Sequence, residues 1–219
     1  MNTNKEVNKG TPPRATVRRL SMYLRTLNSL EDAGTLMVSS RELAAPLGLN
    51  PAQVRKDIAY FGEFGRRGVG YNVARLRDHL AEILGMKTRR MVGIVGAGGH
   101  LGHALALHKG FEKRNFKVVA LFDKDPRVIG QVLGENAIQH ISELSETVKR
   151  LNIEILMLAV PATELNSVFD YILLSGITAV LNFAPVRLPS TDEICVHNVD
   201  LAVELEYLTF HLDRNSVVT

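Results

Sequence analysis

The chain has 219 residues, a formal net charge of +3 and a hydrophobic fraction of 46%, values typical of a globular protein with one or two domains. No apolar run reaches the roughly 18 residues of a membrane span, the single cysteine, Cys195, excludes an internal disulfide, and residues 1–11 predict a disordered arm without a secretory signal. We therefore expect a cytoplasmic protein. Residues 1–90 hold 16 Lys and Arg against 8 Asp and Glu, so this basic part favours a polyanionic partner.

Residues 12–88 predict four helices and one hairpin. The first helix has apolar residues at helical spacing, the second begins with capping-box spacing between Ser39 and Glu42, and Asn50 and Pro51 precede the third. The stretch GEFGRRGVGYNV, with four glycines around two arginines, predicts a hairpin ahead of the fourth helix. These are the parts of a winged helix-turn-helix domain. The apolar positions of the first helix are Val17, Leu20, Leu24, Leu27 and Leu30.

The third predicted helix separates an apolar face from a polar face. Val54, Ile58 and Phe61 fall on the side expected to face the core. The opposite side carries residue types that suit guanine and adenine in the major groove, and the hairpin arginines would meet phosphates or a minor groove. The alternative interpretation is a solvated charged face on a small helical domain. The DNA-contacting candidates are Ser39, Ser40, Gln53, Arg55, Lys56, Tyr60, Arg66, Arg67 and Tyr71.

From residue 89 the pattern changes to strands that alternate with helices. MVGIV, KVVALFD, IEILMLAVP, ITAVLNF and EICVHNV are predicted strands, and HLGHALALHKGF, ISELSETVKRLN and ELNSVFDYILLSG are predicted helices. This alternation predicts an α/β fold, a Rossmann-like doubly wound parallel sheet, over residues 89–198. Residues 199–213 then predict a strongly apolar helix whose packing partner is not obvious within the chain.

The loop GAGGHLG, Gly96–Gly102, lies between the first predicted strand of this sheet and its helix. Such a loop lets the backbone approach a pyrophosphate, although counting back from Gly102 places Ala97 in the first glycine position. Asp123 ends the next strand, where a carboxylate would bind a ribose diol and repel a 2′-phosphate, which favours NAD over NADP. The candidate cofactor contacts are Gly96, Ala97, Gly98, Gly99, His100, Leu101, Gly102, Asp123, Val160, Pro161, Asn182, Ala184 and Pro185.

Catalysis is not predicted. None of the seven histidines stands in a convincing pair with a carboxylate, no metal-ligand spacing is present, and no chain remains for a substrate domain. The expected ring-binding residues at the carboxyl edge, including Val160 and Ala184, are largely apolar and would favour the neutral reduced ring over the cationic oxidised ring. Three alternatives stay open: a small oxidoreductase with a basic extension, a coenzyme A module, and a scaffold without a ligand.

Several stretches together resemble the Rex family of bacterial redox-sensing repressors. They are QVRKDIAYFGEFGRRGVGYNV, LFDKDP, AVPA, GITAVLNFAPV and VHNVDLAVELEYLTF, in the family's order over nearly the whole chain. The resemblance implies a homodimer in which the C-terminal helix swaps into the partner. It also implies binding to double-stranded operator DNA of fermentation and respiration genes with NAD⁺ or without cofactor, and release on NADH binding. NAD⁺ and NADH would act as allosteric ligands that are not turned over.

The same resemblance implies a switch built from Arg25, His108 and Asp200. Arg25 and Asp200 fall on positions that take part in a polar network rearranging between cofactor states in similar proteins. His108 occupies a position where tyrosine is frequent in the family, so its titration near neutral pH would make the response sensitive to pH.

Overall fold

The computed structural model describes residues 12–66 and 68–216, with the side chains at 210, 211 and 213–216 excepted. The predicted arm, residues 1–11, and Arg67 therefore lie outside the described residues. The chain forms two compact units, Met1–Thr88 and Arg89–Thr219, here called the N-terminal and C-terminal units. No helix in the described ranges is long and apolar enough to cross a membrane.

The N-terminal unit contains four helices and a small antiparallel sheet. Side chains of Ser39, Asn50 and Asn72 accept hydrogen bonds from backbone amides at helix starts, and Ser39 forms the full capping box with Glu42. The strand Met37–Val38, which the sequence did not predict, pairs with the hairpin. The elements are α1 Arg14–Asp32, β1 Met37–Val38, α2 Ser40–Ala44, α3 Pro51–Phe61, β2 Gly65–Arg66, β3 Gly70–Asn72 and α4 Val73–Ile83, with strand order β1-β3-β2.

One apolar cluster holds the N-terminal unit together. The face of α1 in this cluster differs from the prediction, because Val17 is exposed whereas Tyr23 and the polar Thr16 are buried. Val54 and Ile58 of α3 are buried as predicted, and Phe61 is half-buried against the cluster. The fully buried large side chains of this core are Leu20, Tyr23, Leu27, Leu43, Ile58, Leu76 and Leu80.

The C-terminal unit is a seven-stranded sheet in the order β10-β9-β8-β4-β5-β7-β6. All neighbours pair in parallel except β6, which lies antiparallel to β7 at one edge. The elements are β4 Arg90–Val95, α5 His100–Ala106, β5 Phe116–Asp123, β6 Val132–Leu133, β7 Asn136–His140, α6 Leu144–Leu151, β8 Ile155–Leu158, α7 Leu165–Ser175, β9 Ala179–Asn182, β10 Cys195–Asn198 and α8 Leu201–Ser216.

Alternate side chains of the strands enter two separate apolar clusters. Val95 and Phe122 pack in the cluster that includes α6 and α7, whereas Ile94 and Leu121 pack in the cluster that includes Leu105 of α5. The sheet is therefore covered on both faces, as an α/β fold requires.

Two elements differ from the sequence prediction. α5 ends at Ala106 instead of continuing to Phe111, because the chain turns at Leu107 and the ring of His108 folds over Gly110. The β6–β7 hairpin was missed, since its strands have only two and five residues and turn at Gly134.

α8 leaves six large apolar side chains exposed. Their exposed fractions lie between 52% and 68%, which is unusual for so many large apolar side chains on one helix. These residues are Leu201, Val203, Leu205, Tyr207, Leu208 and Leu212.

Candidate functional site

The first two turns of α3 present the predicted base-reading residues. Asn50 caps the helix by accepting a hydrogen bond from Ala52 N at 2.8 Å. Arg55 and Lys56 are exposed, and Nη1 of Arg55 donates to Oγ of Ser40 at 2.9 Å. This bond joins the start of α2 to α3, so two of the predicted DNA-contacting residues lie on one surface.

A groove of about 870 Å³ runs between α3 and the hairpin. It is lined by Ser39, Ser40, Arg55 and Arg66 among others, which brings four predicted residues together. Gly70 allows the hairpin to approach β1, because its φ is +95° and a Cβ there would lie 2.5 Å from the carbonyl oxygen of Val38.

Two other predicted contacts differ in their surroundings. Tyr71 also lines the groove, but its side chain is only 8% exposed and packs in the core, so its main role here is structural. Burial raises the pKa of its hydroxyl. Tyr60 is half-buried and makes an edge-on ring contact with Phe61.

Asp57 forms a buried polar cluster that the sequence analysis missed. Its side chain is 2% exposed, and its carboxylate accepts from Arg19 Nε at 2.5 Å and Nη2 at 2.8 Å, from Tyr23 Oη at 2.8 Å and from Gln53 Nε2 at 2.8 Å. Burial alone would raise the pKa of Asp57, but these hydrogen bonds outweigh it and hold that pKa below its ordinary value. The available signal was a charged residue between Val54 and Ile58, on the apolar face, where a charge requires a partner.

The glycine loop Gly96–Gly102 has the close packing that a pyrophosphate site needs. Gly96 has φ +86°, and a Cβ there would lie 2.5 Å from the carbonyl oxygen of Ala159. A Cβ on Gly102 would overlap the carbonyl oxygen of Gly96, so α5 packs directly on the loop. Ala97 is accommodated because its side chain is fully buried in the adjoining core, and it contributes only its backbone to the loop.

Asp123 closes the carboxyl edge beside this loop. Its Oδ2 accepts from Gly98 N at 2.9 Å, and its Oδ1 accepts from Lys124 N at 2.8 Å and Asp125 N at 3.0 Å. Together with Val160 and other residues they line a groove of about 440 Å³, and an ion pair of 3.0 Å joins Lys124 to Glu164 at its border. Gly98 and Gly99 expose their backbone to this groove, next to the exposed His100 and Leu101.

The five predicted ring contacts divide into two groups. Val160 and Pro161 line the groove with the glycine loop. Asn182 is fully buried: its Nδ2 donates to Val186 O and Asn198 Oδ1, both at 2.8 Å, and its Oδ1 accepts from Ala184 N at 3.0 Å. The side chain of Asn182 therefore holds the loop after β9 in this conformation, and its contact with the nicotinamide stays a prediction.

The last two predicted contacts follow β9. Ala184 is buried, Pro185 is exposed, and neither is among the residues that line the groove.

The three predicted switch residues belong to different elements. Arg25 lies exposed on α1 of the N-terminal unit. In the C-terminal unit, the ring of His108 packs edge-on against Phe111, with centroids 4.7 Å apart, and Asp200 Oδ1 accepts from Ala202 N at 3.0 Å at the start of α8. Their cooperation remains a prediction. Within the described ranges, no group of three or more His, Cys, Asp or Glu could hold a metal ion.

Comparison with known proteins gives matches along both units. The family model described as "Putative DNA-binding protein N-terminus" matches residues 13–59, and the "CoA binding domain" model matches residues 87–186. The redox-sensing transcriptional repressor Rex of Carboxydothermus hydrogenoformans is 45% identical over 203 residues, which cover 93% of this chain and 97% of that protein.

Solved structures of RSP are similar to this chain over nearly its whole length. A crystal structure of RSP in complex with β-NAD⁺ and operator DNA has a TM-score of 0.88 at 32% identity and covers 96% of each chain. A crystal structure of RSP in complex with β-NADH has a TM-score of 0.85 at 31% identity, covering 96% of this chain and 98% of that chain.

Proposed function

Because the chain belongs to the Rex family of redox-sensing transcriptional repressors, we propose that it binds operator DNA with NAD⁺ or without cofactor and releases it when NADH binds. The observation that carries this proposal is the presence, in one chain, of a basic helix–hairpin surface and a glycine-loop groove ending at Asp123. The chain is thus a regulator, and the dinucleotide is its signal.

Operator binding is assigned to the N-terminal unit. α3 is the recognition helix, with Arg55 and Lys56 exposed on it, and Arg66 lies on the hairpin at the other side of the groove. Phosphate contacts from these cations would fix the position of the unit, while side chains at the start of α3 would contact base edges.

Cofactor binding is assigned to the groove at the carboxyl edge of the sheet. The pyrophosphate would lie against the backbone of Gly96–Gly99, and the adenosine ribose hydroxyls would donate hydrogen bonds to the Asp123 carboxylate. Val160 and Pro161 would offer the nicotinamide an apolar surface, which favours the neutral reduced ring.

Release of DNA follows from the linkage between the two sites. NADH displaces DNA only if it binds the DNA-incompetent arrangement more tightly than the competent one. A preference of about 100-fold corresponds to about 2.7 kcal/mol per site.

The assembly is a homodimer formed through α8. Six of its apolar side chains are more than half exposed in the single chain, and a partner subunit would bury them. A dimer also gives two recognition helices for the two halves of a palindromic operator.

The test is binding of the purified full chain to promoter DNA from its own genome at one fixed salt concentration, because phosphate contacts make affinity depend steeply on salt. Three parallel titrations contain NAD⁺, NADH or coenzyme A. Specific binding that NADH abolishes and the other two ligands spare supports the proposal. Specific DNA binding that none of the three ligands changes contradicts a redox-sensing role. Release of DNA by coenzyme A instead of NADH supports the alternative of a coenzyme A module.

A further inference from the structure

Gln53 lies between the surface of α3 and the buried carboxylate of Asp57. It is the third residue of the helix, in the turn where recognition helices meet base edges. Its side chain is half-buried, and its Nε2 donates to Oδ1 of Asp57, one helical turn further along.

The carboxylate determines which end of the Gln53 amide faces inward. The oxygen and nitrogen ends of this amide have nearly the same shape, so packing alone does not distinguish them. An ionised carboxylate only accepts hydrogen bonds, and Arg19 holds Asp57 in that form through two bonds. The nitrogen end therefore faces Asp57, and Oε1 is kept on the other side.

The remaining edge of the amide has one acceptor and one donor. Nε2 carries two hydrogens, and the hydrogen on the Oε1 side stays available when the other one bonds Asp57. Among the residues that the structure describes, none donates to Oε1 of Gln53. An acceptor beside a donor matches the 6-amino group and N7 of adenine in the major groove.

We propose that Asp57 is a specificity-determining positioning residue, which fixes the amide of Gln53 so that its Oε1 and one Nε2 hydrogen bind an adenine in each operator half-site. This inference rests on the proposed function, because it requires α3 to enter the major groove. Asp57 itself touches no base and acts only through Gln53.

The experiment measures anisotropy of labelled operator duplexes with the full-length, cofactor-free protein at fixed salt. Each adenine is replaced in turn by purine, which lacks the 6-amino group. For the wild-type chain, one replacement per half-site should weaken binding by about 5- to 150-fold, the range for a bidentate base contact. For Gln53→Ala, the same replacement should have no effect.

Asp57→Asn tests the positioning role, and Tyr23→Phe is its matched control. Asn keeps the shape of Asp57 but lets the Gln53 amide bind in either orientation, so the effect of the purine replacement should fall to less than about threefold. Tyr23→Phe removes one bond to the other oxygen, Oδ2, and leaves the bond from Gln53 intact. Its response to purine should equal that of the wild type.

Three results would overturn the inference. The first is a purine effect that persists in Gln53→Ala. The second is an Asp57→Asn variant in which the purine replacement weakens binding as much as in the wild type, whether or not the variant has lost affinity for all duplexes alike. The third, which needs no Asp57 variant and decides the matter if that variant does not fold, is a Gln53-dependent contact at guanine or thymine. Equal wild-type binding to operator and random duplexes would instead show that the proposed function has failed.

Discussion

Removing the Asp57 carboxylate should strongly destabilise the N-terminal unit. Asp57→Ala leaves Arg19 without its partner and removes the acceptor for Tyr23 and Gln53. Breaking a buried ion pair in this way costs about 3–5 kcal/mol, and we take about 3 kcal/mol because the Arg19 side chain is 22% exposed and can reach water. For a unit of this size that loss lowers the melting temperature by about 12–24 °C.

The assay is calorimetric melting of the full chain, with Glu82→Gln as the control. Glu82 pairs with Lys87 on the surface, so its substitution should leave the melting temperature unchanged. An Asp57→Ala variant that melts with the wild type would refute the reasoning.

The melting-temperature difference between the wild type and Asp57→Ala should depend on pH. Because the folded-state pKa of Asp57 is lowered, its contribution is complete above the ordinary aspartate pKa of about 3.9 and is lost as the pH falls through the folded value. The melting difference between wild type and variant should therefore shrink on acidification below about pH 4. A difference that grows there would contradict the assignment.

Three further predictions concern the C-terminal unit. Gly102→Ala should lower the melting temperature of this unit and abolish NADH binding. Gly99→Ala, whose added Cβ would lie 3.5 Å from the nearest atom, should leave the melting temperature unchanged. Calorimetry measures the melting temperatures, and NADH fluorescence measures binding. Asp123→Asn should weaken the binding of NADH and reduce the ratio by which the protein prefers NADH to NADPH. Fluorescence titrations with NADH and with NADPH measure both affinities. Leu205→Glu should be a monomer in analytical ultracentrifugation, whereas the control Glu206→Gln should stay dimeric. A Leu205→Glu variant that is also dimeric would contradict assembly through α8.

The sequence was sufficient to predict the four helices of the N-terminal unit and the strands β4, β5, β8, β9 and β10 in their order, because their signals are local. Capping residues mark helix starts, and apolar runs mark the parallel strands. The glycine loop and Asp123 were placed correctly at one edge, since consecutive parallel strands end on the same side of a sheet.

What the sequence did not predict depends on contacts between distant residues. Asp57 is 38 positions from Arg19, and the burial of Asn182 depends on Asn198 and the loop after β9. No periodicity encodes such pairs. The glycine spacing was ambiguous for a related reason, since only the packing shows that Ala97 belongs to the core.

The start of α8 is mechanically joined to the carboxyl edge of the sheet. Asn198 shares its side chain with Asn182 and with the backbone of Leu188, and Val199 N donates to Asn182 O two residues before the helix begins. Asn182 in turn holds Ala184 N. A displacement of the first turn of α8 would therefore be transmitted to the loop after β9 through the hydrogen bonds of Asn198 and Asn182.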